Sequence, residues 1–279
     1  RKFKFICYLP IGTSFLHERS DETILHVVDE WDGLSSMSNC LKDEIKKYFF
    51  SSDKVIFASA TLKKQFFKKL SYRNNTIVLK HGLGFEPNLY APRGVVNRKI
   101  NVKEENVTFG YYGAFSKLDL NLILKTVTSL PQYKFVMVGP EHDLSNNLEY
   151  KSVKNKLINT KNLLFQGELP HQKIPDFICD INALWLPFKR NKLTEKMSPI
   201  KIYEGLSLGV PIVSTSLEGV YEIGGDKITY ADTWEENKEA LIKCANYKTI
   251  ETSFEYSKGL NFNSWLKISQ EFLSEIQDD

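Results

Sequence analysis

Short apolar segments alternate with helical segments through most of this chain, and that alternation constrains the fold more than any other feature. Strands separated by single helices pair in parallel through right-handed crossovers, which gives a sheet covered on both faces. The pattern is clearest at residues 107–112, 134–138, 163–166, 183–187, 211–215 and 227–231. It predicts an α/β fold with a complete Rossmann-like domain at residues 107–260.

The front of the chain repeats the alternation less fully. Strands are expected at residues 3–9, 24–28, 55–58 and 76–80. We therefore expect residues 1–90 to form a partial, apparently truncated Rossmann-like domain. A linker is expected at residues 91–106, where Pro92 and Gly94 mix with basic residues. Residues 261–279 are expected to form a helix that packs near or across the domain interface.

Composition excludes several classes of protein. With 42% hydrophobic and 25% charged residues the chain has a globular profile, and its net charge of +3 gives no case for nucleic-acid binding. Its 4 cysteines are scattered, which favours reduced thiols and a cytoplasmic location. No apolar run is long enough to span a bilayer. The basic runs at residues 42–47 and 63–69 are either solvated helix faces or a surface that contacts anionic lipid, which leaves peripheral contact with the inner face of the membrane open.

The segment from residue 196 to residue 213 carries the strongest functional signal. Ser198 is a good helix N-cap, Pro199 suits the first helical position and Gly209 is a typical left-handed terminator. Lys201 falls in the first turn, where a cation opposes the helix dipole, so an anion is expected nearby. Glu204 lies on the same face and is placed to accept hydrogen bonds from a sugar hydroxyl. The alternative is that Lys201 and Glu204 form an ordinary surface pair.

Loops at the carboxyl ends of the predicted strands supply further candidates. Gly113 ends a strand and would let the backbone approach a phosphate. Glu168 either binds a nucleobase edge or is a helix N-terminal acid favoured by the dipole. Lys189 belongs to a basic loop that leads toward the Lys201 helix and would clamp a diphosphate.

The front domain offers candidates for an acceptor site. Asp29 and Asp32 follow a strand, and a carboxylate there could deprotonate an acceptor hydroxyl, although a solvent-facing turn explains them equally well. His81 follows another strand and could orient an acceptor or a phosphate; the alternative is a structural histidine. Metal-ligand spacings are missing from the sequence, so we expect metal-independent binding.

The residues from Ser198 to Glu204, followed by Gly209-x-Pro211, resemble the donor-binding segment of nucleotide-sugar glycosyltransferases of the GT-B fold. The order of the motifs at residues 110–113 and 187–189, with His81 before a linker, is similar to bacterial surface-polysaccharide glycosyltransferases, a group that includes the xanthan glucuronosyltransferase. The resemblance implies two Rossmann-like domains facing a cleft. It implies a nucleotide-sugar donor, expected to be a UDP-sugar, and a glycan or lipid-linked acceptor.

The resemblance also assigns roles. Lys201 would contact the diphosphate, Glu204 the ribose hydroxyls, and Asp29 would be the acceptor base. The turn at Ser198 and Pro199 would offer backbone amides to the phosphate, and Met197 and Ile200 beside it are also expected to bind the donor. Many relatives carry a second glutamate eight residues before Glu204, where this chain has Lys196. The stereochemistry of transfer therefore stays open, as do two alternative functions, a non-catalytic nucleotide-sugar-binding scaffold subunit and a GT-B sugar epimerase.

Overall fold

The structure is a computed structural model, and it contains two parallel β-sheets covered by helices. The residues that it describes are 3–8, 13–28, 38–70, 75–100, 106–140, 148–258, 262 and 264–277. Each sheet belongs to its own lobe. The N-terminal lobe comprises the first four strands and three helices, and the last described helix also packs on its sheet. The C-terminal lobe comprises the remaining strands and the other helices.

The sheet of the N-terminal lobe has the order β1-β2-β3-β4. Its elements are β1 Lys4–Cys7, α1 Ser14–Arg19, β2 Glu22–Val27, α2 Asn39–Ser51, β3 Lys54–Phe57, α3 Ala60–Leu70 and β4 Thr76–Val78. On one face, α2 and α3 pack on the sheet through side chains that include Phe49, Leu62 and Phe66. On the other face, Ile24 and Ile56 form a separate small core.

The sheet of the C-terminal lobe has the order β10-β9-β8-β5-β6-β7, again all parallel. Its strands are β5 Thr108–Tyr112, β6 Lys134–Val138, β7 Leu163–Gly167, β8 Ala183–Leu186, β9 Ile212–Ser214 and β10 Thr229–Tyr230. The chain first extends the sheet from β5 to β7 and then returns to place β8 on the other side of β5. Such a reversal creates a crevice at the carboxyl ends of the two central strands.

Ten further helices complete the described structure. They are α4 Pro87–Ile100, α5 Leu120–Ser129, α6 Leu148–Ile158, α7 Ile174–Asp180, α8 Lys192–Glu195, α9 Ile200–Ser207, α10 Glu218–Gly224, α11 Trp234–Cys244, α12 Tyr247–Lys258 and α13 Trp265–Gln277. Within the described ranges, none of the helices has both the length and the apolar character needed to cross a membrane.

The predicted linker differs from the structure. Most of it is the second half of α4, although Pro92 and Gly94 usually disfavour a helix interior. Contacts with α7 explain the difference, because Arg93 pairs with Asp176. The Asn97 side chain also donates to Asp180, at 2.7 Å. Tertiary packing thus overrides the local composition, while the domain boundaries themselves stay predictions.

The helix α13 connects the two lobes. Its Phe272 packs against the Ile24 and Ile56 core of the N-terminal sheet. At its other end, the backbone N–H of Trp265 donates to the carbonyl of Leu83, at 3.0 Å. The last helix of the described chain therefore covers a face of the first sheet.

Candidate functional site

The crevice between β5 and β8 gathers most of the residues that the sequence selected. Gly113 follows β5 and Lys189 follows β8, on adjacent strands. The helix α9 begins beside them and returns the chain to β9. The carboxyl ends of the two central strands and the amino end of a helix therefore meet at one place.

The boundaries of α9 confirm one prediction and correct another. Gly209 has a φ of +62°, the left-handed conformation expected of a helix terminator. The predicted N-cap is wrong by one residue, because Pro199 keeps an extended backbone and helical geometry starts at Ile200. Pro199, the N-cap residue of α9, makes no side-chain hydrogen bond to the first turn of the helix. The Ser198 Oγ is buried beside the Tyr203 hydroxyl and makes no hydrogen bond of good geometry with any described residue.

The ammonium of Lys201 lies over the end of β5. Its Nζ is 5.7 Å from the ring centroid of Tyr111 and 5.6 Å from that of Tyr112. A Cβ at Gly113 would lie 2.6 Å from both Cε and Nζ of Lys201, and Gly113 has a φ of +119°. The backbone conformation therefore favours glycine at position 113, and a methyl group there would displace the end of the Lys201 side chain.

The crevice is positively charged. Burial, with a smaller contribution from Lys117, lowers the pKa of Lys201 to about 8, while Glu204 opposes the shift. The segment that carries Lys117 pairs with the loop after β8, since its carbonyl accepts from the N–H of Lys189 at 3.0 Å. Lys201 and Lys117 thus bring two positive charges to the start of α9, which is an arrangement suited to an anion.

Glu204 is buried rather than solvated, with 1% of its surface exposed. The Tyr112 hydroxyl donates to its Oε2. Burial raises the pKa of Glu204, against the opposing effects of the Tyr112 hydrogen bond, Lys201 and His171. Lys201 and Glu204 therefore do not form an exposed surface pair, and the simplest alternative to a binding role does not describe them.

Three other residues considered in the sequence analysis differ in burial and in contacts. Met197 is buried, and its carbonyl lies against Gly219 of α10. Glu168 is exposed after β7, two strands away from β5. Lys196 forms an ion pair with Glu218 of α10.

His81 lies where the two lobes meet. Its ring centroid is 6.4 Å from that of Tyr203 on α9 and 5.9 Å from that of Trp265 on α13. Asp29 and Asp32 lie outside the described residues. Within the described residues, no group of three or more His, Cys, Asp or Glu side chains is arranged to hold a metal ion.

Sequence reasoning missed three contributors to the site. Tyr112 was read only as part of a strand, although its hydroxyl contacts Glu204. Lys117 was not selected because its approach to Lys201 depends on tertiary structure. His171 lies beside Gly84, whose Cβ would be 2.8 Å from the imidazole Cε1, and it also influences Glu204. Its position after a strand end was the one local signal that pointed to it.

The chain is similar to proteins of one family. Residues 95–246, more than half of the chain, match the family model described as "Glycosyl transferases group 1". A Bacillus subtilis (strain 168) protein, provisionally named a teichuronic acid biosynthesis glycosyltransferase, TuaH, is 25% identical over 211 residues. That alignment covers 71% of this chain and 51% of the relative, so the chain spans about half the length of that protein.

Solved structures show the same fold. Anabaena HepE, in complex with UDP and glucose, superposes with a TM-score of 0.70 at 17% identity, covering 95% of this chain and 73% of that one. Sucrose-phosphate synthase from Thermosynechococcus elongatus gives a TM-score of 0.72 at 14% identity, covering 95% and 70%. The predicted α/β fold of the GT-B type is thereby confirmed.

Proposed function

The chain belongs to the group 1 glycosyl transferases, and from that membership we propose that it moves a sugar from a nucleotide-diphosphate donor to a hydroxyl group. The proposed acceptor is a glycan or a lipid-linked glycan in bacterial surface-polysaccharide synthesis. The B. subtilis relative supports this setting, because its name places it in teichuronic acid biosynthesis. Membership of this family favours transfer over the scaffold and epimerase alternatives.

The observation that carries the proposal is the position of Lys201 at the start of α9. The departing nucleoside diphosphate gains negative charge as the bond between its phosphate oxygen and the anomeric carbon of the sugar breaks. An ammonium beside Gly113 and the amides of the first turn would stabilise that charge with groups that are already in place. No metal is needed for this step, and we propose metal-independent transfer.

Glu204 is the proposed partner of the donor ribose. The Tyr112 hydroxyl holds one carboxylate oxygen in place, which fixes the side chain and leaves Oε1 to accept from a sugar hydroxyl. The HepE structures contain UDP and, in one case, UDP-glucose. They support a UDP-sugar as the donor of this chain.

The acceptor would bind on the N-terminal lobe, opposite the crevice. His81 contacts the ring of Tyr203 on α9 and is therefore placed where the two substrates would meet. Asp29, which follows β2 in the sequence, stays the proposed base for the acceptor hydroxyl, and Asp32 a second candidate. Holding the donor and the acceptor together would itself supply a large part of the rate.

The test is nucleotide release from a panel of nucleotide sugars, with and without glycan acceptors. We expect turnover with a UDP-sugar, and Lys201→Ala should lower kcat/KM about 100-fold or more because a preorganised charge is lost. Lys125→Ala, at an exposed position on α5, is the matched control and should match the parent. Conversion of the donor sugar without acceptor would indicate an epimerase, and binding without turnover would indicate a scaffold; either result contradicts the proposal.

The proposed location is the cytoplasm, at the inner face of the membrane, and α3 offers the surface for contact with lipid. This helix carries four lysines and no acidic residue. A groove of about 460 Å³ is lined by Ala60, Lys63, Lys64, Phe67 and Lys68. Lysines with an aromatic neighbour suit an anionic bilayer surface.

Vesicle sedimentation tests this contact. We expect retention on phosphatidylglycerol vesicles and none on phosphatidylcholine vesicles, with loss of retention in the Lys64→Glu/Lys68→Glu variant. The same two changes at Lys151 and Lys156, which are exposed on α6, provide the charge-matched control. Equal loss in both variants would show that net charge, rather than this surface, governs the contact.

A further inference from the structure

The amino end of α3 is capped from both lobes. Within its own lobe, the Ser59 Oγ accepts from the N–H of Leu62, at 3.1 Å. Two further N–H groups of this helix end donate to Glu222, on α10 of the C-terminal lobe. The N–H of Ala60 donates to Oε1 and that of Thr61 to Oε2, each at 2.8 Å. A carboxylate at a helix N-terminus gains charge-assisted hydrogen bonds and a favourable interaction with the dipole.

The helix that carries Glu222 is packed directly on the donor crevice. A Cβ at Gly219 would lie 2.1 Å from the Met197 carbonyl oxygen, so the backbone of α10 touches the turn before α9. An ion pair between Glu218 of α10 and Lys196 makes a second contact between this helix and the turn before α9. The helix α10 therefore stands between the proposed phosphate-binding turn and the N-terminal lobe.

This contact is separate from the one at residues 81–84 and α13, where the N–H of Trp265 donates to Leu83 and its ring packs beside His81. The Glu222 contact uses α10 and α3 instead. Two lobes that are joined at a second, independent place have a restricted relative orientation.

We propose that Glu222 is a positioning residue that holds the two lobes at the spacing at which the donor crevice and the acceptor site face each other. Without it, the arrangement competent for binding becomes only a fraction of the population, and apparent donor affinity falls by that fraction. The kinetic part of this inference rests on the proposed function. The structural part does not.

The structural test measures the distance between spin labels on Cys40, which is exposed on α2, and on a cysteine introduced by Glu239→Cys on α11. The other three cysteines are buried. Ser59→Ala is the matched control, because it removes a cap from the same helix end within one lobe. We expect Glu222→Ala to add a longer distance or broaden the distribution, and Ser59→Ala to keep the parent distribution.

The kinetic test compares the same variants. Glu222→Ala should raise the donor KM about tenfold with little change in kcat, and Glu222→Gln, which keeps one accepting oxygen, should fall between it and the parent. An unchanged distance distribution in both Glu222 variants overturns the inference, as does an equal change in Ser59→Ala. If the parent shows no turnover, the proposed function fails while the distance measurement still decides the role of Glu222.

Discussion

The two lobes both contain parallel sheets, but the order of the strands differs between them. The C-terminal sheet reverses its order between β8 and β5, and the crevice formed there gathers Gly113, Lys201 and Glu204. The described strands of the N-terminal sheet run in sequential order from β1 to β4, without such a reversal. One of its buried polar residues is His26 on β2, with 8% exposure and neither ring nitrogen bonded to a described residue.

The buried titratable groups Glu204 and His26 have different surroundings, and protonation of each is therefore expected to have a different effect. In the C-terminal lobe, Tyr112 on β5 donates to Glu204 on α9 at the proposed donor site, so the charge of this pair would bear on ligand binding. In the N-terminal lobe, His26 lies against the ring of Tyr8, with the centroids 4.8 Å apart. Because His26 is buried and its ring nitrogens make no hydrogen bond to a described residue, its protonation would act on the stability of the fold. The following experiments test ligand binding in the C-terminal lobe and stability in the N-terminal lobe separately.

The largest effect is expected from Gly113→Ala. The new methyl group would displace Lys201 and strain the backbone, so kcat/KM should fall about 100-fold or more. Gly225→Ala is the matched control, because Gly225 also has a positive φ, of +50°, but nothing lies within 4 Å of its Cβ position. Activity assays with thermal melts check both. An equal loss of activity in the control would assign the effect to backbone strain.

Next comes the acid stability of the N-terminal lobe. Burial, followed by the charge of His81, lowers the pKa of His26 to about 4 from 6.5. Because the unfolded chain binds the proton more readily, stability should fall as pH drops from 6.5 toward 4, by about 3 kcal/mol. Denaturant titrations of His26→Leu should show a smaller fall than those of the parent. Identical curves for His26→Leu and the parent would contradict this reading.

The smallest effect concerns the pH dependence of donor binding. Lys201, with a pKa of about 8, is charged below that pH and neutral above it, and an anionic donor favours the charged form. Donor KM should therefore rise above pH 8, by up to about tenfold per unit. Calorimetry in buffers of different ionisation enthalpy should detect proton uptake on binding at pH 8.5. Lys201→Arg should remove that uptake, and its persistence would point to another group.

Residues that typically begin or end helices and strands predicted much of the C-terminal lobe. Gly209 ended α9 as expected because left-handed geometry is a property of a single residue. The N-cap of α9 was predicted at Ser198, one residue too early, since the residue before a proline and the proline itself can both stay extended. The helix α4 was missed because its stability comes from contacts with α7 and not from Pro92 or Gly94.

The pairs that assemble the site were beyond sequence reasoning. Tyr112 and Glu204 are 92 positions apart, and Glu222 and Ala60 are 162 apart. A tyrosine in a strand and a glutamate in a helix are unremarkable by themselves. Only the strand order brings the first pair together, and only the arrangement of the two lobes brings the second.

The position of α13 has a consequence for how the protein is made. Phe272 completes the small core around Ile24 and Ile56, yet a ribosome synthesises it long after those strands. The contact between Phe272 and the first sheet can therefore form only after the C-terminal lobe has been translated, so this part of the N-terminal core is completed late in synthesis.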